Sequence, residues 1–310
     1  MSISRTICLG QIAGLFAFAF PLELRAQPSD GSMAQLRADV KLILVPVTVM
    51  DRRGAMVNGL GKDSFIVLDE KVRQRIVSFS SEDAPCSVGL VLDLSGSMER
   101  DIRPAKEALT DFLAIANPED RYTVLGVGTR PLYFPIGFTS DTTLVHNTIM
   151  SAPPGGFTAL VDTIYAGLGK MRSAPHLRRA LVVVSDGMDN HSRYSPQDLF
   201  RLAAEADVQI YTIAIDPVRH QDKAIQQIEA RRGLQFLEDL ANRTGGVHFA
   251  VQSRKEAAAA GERIGLAIRN QYLLGYQPGR PDSSGKWHRV QVKLNRDQVQ
   301  VYARSGYYAQ

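Results

Sequence analysis

An apolar stretch in the first third of the chain ends in a group of oxygen-bearing side chains. The sequence VGLVLDLSGSMER, at 88–100, places Asp93 at the end of its apolar run, followed by Ser95 and Ser97. Gly96 allows a tight backbone turn between the two serines, so both hydroxyls can face one point. No histidine, lysine or cysteine lies within this stretch. These residue types favour the binding of a hard cation over nucleophilic or acid–base catalysis.

Two later segments carry the same chemistry. PPGGFTALVDTI places Thr158 at the start of a helical pattern behind two glycines, and VVVSDGMDN places Asp186 at the end of another apolar run. In open α/β sheets, ligands bind beyond the carboxyl ends of the strands, where the winding reverses. If the strands are parallel, all three loops emerge at that edge. The predicted metal ligands are therefore Asp93, Ser95, Ser97, Thr158 and Asp186.

This set of donors favours hard divalent cations. It also offsets only part of their positive charge. Oxygen donors without nitrogen or sulfur favour magnesium, with calcium or manganese possible, over zinc or copper. Magnesium usually retains waters, which suits a site with few side chains. Ser95, Ser97 and Thr158 are neutral, and either carboxylate can act through water. An acidic side chain of a partner protein is then an attractive additional ligand.

The surrounding sequence predicts an α/β domain from 85 to 270. Its apolar runs are continuous rather than alternating, which is typical of parallel strands that are covered by helices on both faces. These runs are VGLVLDL, RYTVLGVG, RALVVVSD, VQIYTIAID and GGVHFAV. The helical patterns between or after them are IRPAKEALTDFLAIA, ALVDTIYAGLGKMR, SPQDLFRLAAEA, QFLEDLANRT and RKEAAAAGERIGLAIRN. We expect a doubly wound, mostly parallel sheet, with the proline-containing PLYFPIGF as one antiparallel edge strand beside RYTVLGVG.

Strand patterns flank this domain on both sides. Those before it are LILVPVTVMD, SFIVLDE and RQRIVSFS, with a hairpin turn at Glu70-Lys71, and those after it are QYLLGY, WHRVQVKL and VQVYARSGYY. Either flank alone would form a small sheet with unprotected edges. We therefore predict one β-sandwich, built from 37–84 and 271–310, into which the α/β domain is inserted. Two independent β appendages are the alternative.

The N-terminal sequence has the layout of a secretory signal. Arg5 precedes an apolar run from about Ile7 to Phe20, and Ala26 is the predicted cleavage position. The apolar run is short for a membrane span, although an uncleaved anchor is the alternative. We predict a signal peptide at 1–26, a flexible leader at 27–36 and no transmembrane span in the mature chain. The protein is then secreted, periplasmic or associated with the cell envelope.

Charge and cysteine content argue against two features, a nucleic-acid surface and an intrachain disulfide. The formal charge is +4 over 310 residues, and the basic residues are scattered rather than clustered. This distribution argues against a nucleic-acid surface. Removal of the signal would leave Cys86 as the only cysteine, so we expect no intrachain disulfide and a buried thiol.

The motifs DLSGSM, GGFTAL and SDG, taken together, resemble the metal-ion-dependent adhesion site (MIDAS) of von Willebrand factor A domains. The family pattern is Asp-x-Ser-x-Ser, then a distant Thr and a distant Asp, and this sequence matches all five positions. The resemblance implies direct metal ligation by Ser95, Ser97 and Thr158, and contacts largely through water for Asp93 and Asp186. It covers about 87–270. The flanking DRRG, DSFIVLDE and RSGYYA resemble the secreted bacterial proteins related to this family.

Three classes of function remain open. The resemblance favours an adhesion or scaffold protein that binds a partner protein's carboxylate through the metal; it is not expected to be an enzyme. A metal-assisted hydrolase or phosphotransferase is an alternative, but the sequence lacks an Asp-x-Asp pair and a Gly-x-Ser-x-Gly elbow. A subunit of an ATPase-driven assembly is a further alternative, against which the export signal argues. In related adhesion domains the last helix shifts to switch metal affinity, so a similar linkage is expected for the helix at about 254–270.

Overall fold

The computed structural model describes residues 42–216, 224–278 and 284–309. The predicted signal peptide, its cleavage position and the leader lie outside these described residues. Cys86 is buried and unpaired, as its position in an apolar run suggests. None of the described helices is both long and apolar enough to cross a bilayer.

A six-stranded sheet forms the centre of the α/β region. Its strands are β5 (Cys86–Asp93), β6 (Arg121–Val127), β7 (Leu132–Tyr133), β8 (Arg178–Ser185), β9 (Gln209–Ile215) and β10 (His248–Val251). Their order is β10-β9-β8-β5-β6-β7, and every neighbouring pair is parallel except β6 with β7. The predicted fold class is confirmed, including the antiparallel edge strand. That strand has only two residues, because Pro131 and Pro135 cannot donate to a ladder.

Helices cover both faces of this sheet, which explains why its strands are apolar throughout. The helices are α1 (Ile102–Leu113), α2 (Thr142–Ser151), α3 (Leu160–Met171), α4 (Pro196–Ala206), α5 (Ala224–Thr244) and α6 (Arg254–Arg269). Along β5, Leu90 and Leu92 belong to the core that includes residues of α1, α2 and α6, whereas Val91 belongs to the core with residues of α3, α4 and α5.

Two features of the helices differ from the sequence patterns. Helix α2 was not expected; it begins after Asp141, whose carboxylate accepts a hydrogen bond from the Leu144 amide and caps the first turn. Helix α5 begins at Ala224, whereas the sequence pattern placed its start near Gln235. The pattern missed the first turns because they are polar and carry little apolar periodicity.

The flanking segments form two four-stranded antiparallel sheets. The first four strands are β1 (Ile43–Asp51), β2 (Phe65–Asp69), β3 (Val72–Gln74) and β4 (Ile76–Ser80), and the last four are β11 (Tyr272–Tyr276), β12 (Trp287–Leu294), β13 (Val299–Ala303) and β14 (Gly306–Tyr308). Their orders are β13-β1-β11-β4 and β14-β12-β2-β3, so each sheet combines strands from both flanks. One apolar core, including Val45, Phe65 and Leu274, joins the two sheets.

The sequence pattern missed how the chain passes between these two sheets. RQRIVSFS is divided into β3 in one sheet and β4 in the other, with Arg75 outside both strands, and VQVYARSGYY is divided in the same way into β13 and β14. Each crossing lets one stretch of chain pair in both sheets. The predicted turn at Glu70-Lys71 is present, with φ of 48° and 67°, between β2 and β3.

Candidate metal centre

The candidate ligands meet where the winding of the six-stranded sheet reverses. From β5 the chain continues to β6 on one side, whereas β8 pairs with β5 on the other side. Asp93 is the last residue of β5, and Asp186 directly follows β8. Leu92 and Val184 are register partners in this parallel pair, so the two carboxylate-bearing positions leave the same edge side by side.

Asp93 is the buried centre of the first loop. It is 0% exposed, and its Oδ1 accepts hydrogen bonds from the Ser95 amide at 2.9 Å and from Ser95 Oγ at 2.6 Å. Its Oδ2 accepts from Ser185 Oγ at 2.5 Å. Ser95 Oγ lies 3.1 Å from Ser97 Oγ, and Ser97 is exposed. The two hydroxyls are therefore adjacent, one buried and one at the rim.

Asp186 is buried with one oxygen left over. Its Oδ1 accepts from the Met188 amide at 2.9 Å, whereas its Oδ2 is buried without any hydrogen-bond partner. Burial, and secondly the Asp186 carboxylate, raise the pKa of Asp93 to about 6. Burial also raises the pKa of Asp186, whereas the Met188 amide and the Ser97 side chain lower it. Neither carboxylate is ion-paired with a described Lys, Arg or His. Two carboxylates thus share a buried site without a basic side chain among the described residues.

The loop that carries Thr158 is tied to the Asp93 loop through backbone hydrogen bonds. The Gly96 amide donates to the Gly156 carbonyl at 3.1 Å, and the Gly155 amide donates to the Leu94 carbonyl at 2.6 Å. Gly156 has a φ of +91°, and a Cβ there would lie 2.9 Å from the Thr129 hydroxyl. A glycine is therefore favoured at 156 by its positive φ and by its contact with Thr129.

Thr158 is also tied to the loop that follows Asp186. Its amide donates to Asn190 Oδ1 at 3.0 Å, and its carbonyl accepts from the Asn190 and His191 amides. The Thr158 side chain is buried, at 2% exposure for the residue. The structure therefore brings together the loops of all five predicted ligands.

The residues present fit a hard divalent cation. They are two carboxylates and three hydroxyls, and the orphaned Asp186 Oδ2 has no other partner. Over the described parts of the chain, no three His, Cys, Asp or Glu side chains group to hold a metal. Carboxylate and hydroxyl oxygens, with water, would therefore hold any cation here, and all of these are hard donors.

Two residues that support the site, Ser185 and Asp189, are not among the predicted ligands. Ser185 holds Asp93 and also accepts from the Gly187 amide at 2.9 Å. Asp189 accepts from the Val161 amide at 2.8 Å at the start of α3. A polar residue ending an apolar strand is the available signal for Ser185. The partner of Asp189, the Val161 amide, can be identified only from the tertiary structure.

An aromatic pair lies on the loops around these residues. Phe157 is 59% exposed and stacks on His191, with ring centroids 5.1 Å apart and an angle of 11° between the planes. Met188 is partly exposed on the loop after Asp186. The residues that flank Thr158 and Asp186 therefore present apolar and aromatic surface to solvent.

Residues 88–188 match the family model of the von Willebrand factor type A (VWA) domain. The chain contains a VWA domain. The matched segment includes all five candidate ligands, from Asp93 to Asp186. Among curated proteins, no match to the chain was found.

Several solved structures are similar to this chain. A von Willebrand factor type A protein from Catenulispora acidiphila is 14% identical, with a TM-score of 0.51 over 88% of this chain and 64% of that one. Proximal thread matrix protein 1 from the mussel byssus, solved with a zinc-occupied MIDAS motif, is 16% identical, with a TM-score of 0.48 over 64% of this chain. This chain spans about half (49%) of that mussel protein's length.

A third similar structure is the vWF domain of the type V pili tip protein Mfa5 from Porphyromonas gingivalis. It is 14% identical, with a TM-score of 0.46 over 60% of this chain and 95% of that one. Of these three structures, the Catenulispora protein has a TM-score above 0.5, and at 14% identity it shows a likeness of fold alone.

Proposed function

We propose that the VWA domain binds a divalent cation, magnesium, and uses it to hold an acidic side chain of a partner protein. The observation that carries this proposal is the orphaned, buried Oδ2 of Asp186 beside the buried carboxylate of Asp93. A buried carboxylate without a partner costs several kcal/mol. A cation at this position offsets that cost, whereas an empty site leaves it uncompensated.

The side chains divide into two roles in this proposal. Ser95, Ser97 and Thr158 would hold the cation through their hydroxyls. Asp93 already accepts three hydrogen bonds from serines, so it would act largely through water. The free Oδ2 of Asp186 would accept a hydrogen bond from another such water. The bound cation supplies positive charge and an open position for a carboxylate. Neutral direct ligands leave that charge poorly offset, which favours an anionic partner.

The same hydrogen bonds favour binding over catalysis. Both oxygens of Asp93 are engaged, and the residue is 0% exposed. A nucleophilic aspartate must reach its substrate, so a phosphotransferase that uses Asp93 is disfavoured. The partner-binding function is therefore preferred to a phosphotransferase that acts through Asp93.

Location follows from the N-terminal sequence pattern. A positively charged residue followed by a short apolar run is typical of exported proteins. We therefore place the partner outside the cytoplasm, on or beyond the cell envelope. An ATPase-driven assembly is disfavoured for the same reason.

Titration of the chelator-treated protein with magnesium, manganese or calcium in a calorimeter tests the metal step. We expect one site, and an affinity loss of roughly tenfold or more for Ser95→Ala. Ser173→Ala is the matched control, because Ser173 is an exposed serine after the end of α3 that bonds only within its own turn. An unchanged affinity in Ser95→Ala would reject the site.

Capture from an envelope extract tests the partner step. The immobilised protein is compared with and without chelator, and against the Ser95→Ala and Ser173→Ala variants. We expect capture that requires metal, is lost in Ser95→Ala and is competed by free glutarate. Capture that survives chelator would reject metal-mediated recognition while leaving metal binding itself intact.

A further inference from the structure

A large cavity lies at the other end of the six-stranded sheet. Its volume is about 510 Å³, and it is lined by Cys86 and Arg178, which begin β5 and β8. Asp93 ends the same β5 strand, which has eight residues and therefore spans about 25 Å. The cavity is thus separate from the metal site. Its volume falls within the range of small-molecule pockets, roughly 300–1,000 Å³.

Most of the cavity wall is aliphatic and comes from both parts of the chain. Strands β1 and β11 of the sandwich contribute one side, and the start of the VWA sheet, the connection before β8 and the end of α6 contribute the other. The principal apolar residues are Leu44, Pro46, Pro85, Leu177, Ile268 and Leu273. Leu177 is 95% exposed and Leu44 is 39% exposed. Apolar surface at a concave site favours an apolar ligand.

Four guanidinium groups line the same cavity, against two carboxylates. The arginines are Arg178, Arg179, Arg243 and Arg304, and the acidic residues are Glu82 and Asp207. Three of the arginines have neutral partners among the described residues. Arg178 donates to the Ala84 and Ile268 carbonyls and to the Gln271 side chain, Arg179 donates to the His176 carbonyl, and Arg243 stacks on Phe200.

The fourth arginine leaves a buried donor unused. Arg304 Nη1 donates to Asp207 Oδ1 at 2.6 Å, but its Nε is buried without a hydrogen-bond partner. Its side chain is only 14% exposed. An unsatisfied buried donor on a cation is costly, and a nearby anion would offset the charge of this guanidinium. The excess of positive groups and this unused donor therefore indicate the same kind of ligand.

We propose that this cavity binds an amphiphilic anion, namely an aliphatic carboxylate. The chain of the ligand would contact the leucines, prolines and Ile268, and its carboxylate would lie among the arginines. Guanidinium groups form strong, charge-assisted hydrogen bonds with carboxylates. Neither an uncharged alcohol nor an inorganic anion would use both parts of the wall.

Calorimetric titration of the purified protein with four probes tests this assignment. The probes are decanoate, decanol, decyltrimethylammonium and inorganic phosphate. Decanoate and decyltrimethylammonium are used below their critical micelle concentrations, and decanol below its solubility limit. We expect decanoate to bind at one site, decanol to bind roughly tenfold more weakly, and the other two not to bind. Failure of decanoate to bind, or equal binding of decanol, would overturn the proposal.

Matched variants locate the bound probe. Arg243→Gln removes a lining charge from α5 and is expected to weaken decanoate binding roughly tenfold; Arg231→Gln, an exposed arginine on the same helix that does not line the cavity, is expected to leave it unchanged. Ala204→Phe, on the wall contributed by α4, is expected to abolish binding of both decanoate and decanol by filling space. Equal effects of Arg243→Gln and Arg231→Gln would place the probe elsewhere.

Discussion

Two buried carboxylate sites in this molecule differ in how completely they are satisfied. In the sandwich, Asp69 is 5% exposed and accepts hydrogen bonds from the Tyr276 hydroxyl at 2.9 Å and the Tyr307 hydroxyl at 3.0 Å. Its other oxygen lies 3.2 Å from His288 Nδ1. In the VWA domain, Asp186 retains an oxygen without any partner and has the Asp93 carboxylate nearby.

The contrast separates a structural polar cluster from the proposed binding site. Asp69 lies on β2 and contacts side chains of β11, β12 and β14, so it links the N-terminal flank to the C-terminal flank. Burial raises the pKa values of Tyr276 and Tyr307, the latter to about 12, which keeps both phenols as neutral donors. A buried network that satisfies its members stabilises the fold. One that leaves a buried acceptor unsatisfied is a candidate for binding an ion or water.

Removal of the satisfied carboxylate should give the largest effect on stability. Asp69→Ala would leave two buried phenols without their acceptor, so we expect the free energy of unfolding to fall by about 3 kcal/mol or more. Metal affinity at the VWA site should not change. Urea denaturation followed by circular dichroism measures the first quantity, and calorimetry measures the second.

Asp63→Ala is the control for this change, because Asp63 is exposed and close in sequence. We expect it to alter stability by less than about 0.5 kcal/mol. If Asp69→Ala proved as mild as its control, the Asp69 cluster would contribute little to the stability of the sandwich.

Removal of the unsatisfied carboxylate, Asp186, should have a smaller effect on the free energy of unfolding, and it should raise rather than lower it. Asp186→Asn removes one of two buried like charges, so we expect the metal-free protein to gain about 1 kcal/mol. The unmodified protein should gain about 2.7 kcal/mol from magnesium at a hundredfold excess over Kd, and the variant should gain little. Thermal melts with and without magnesium measure both terms.

Asp189→Ala provides the comparison three residues away. It removes the acceptor for the Val161 amide at the start of α3, so we expect a loss of about 1 kcal/mol without metal. A metal-free Asp186→Asn protein that is destabilised as much as Asp189→Ala would mean that Asp186 is structural, like Asp69.

The sequence predicted the fold of the VWA domain well because its signals are local. Continuous apolar runs identified strands β5, β6, β8, β9 and β10, and polar residues at strand ends identified the loops that meet around Asp93. The passage of the chain between the sandwich sheets was missed, because β3 and β4 read as one alternating strand when only Arg75 separates them. Nor does a local pattern show that Ser185 would donate to Asp93, since that contact depends on the pairing of β5 with β8.

The smallest effect on stability is expected at the aromatic pair beside the metal site. Phe157→Ala removes an exposed ring that stacks on His191, so we expect less than about 0.5 kcal/mol of change in stability and no change in metal affinity. Because exposed aromatic residues often dominate interfaces, partner capture should nevertheless fall several-fold. Leu177→Ala, which removes an exposed side chain at the distant cavity, should leave capture unchanged. Loss of capture in both variants would mean that recognition extends beyond the metal-site edge of the sheet.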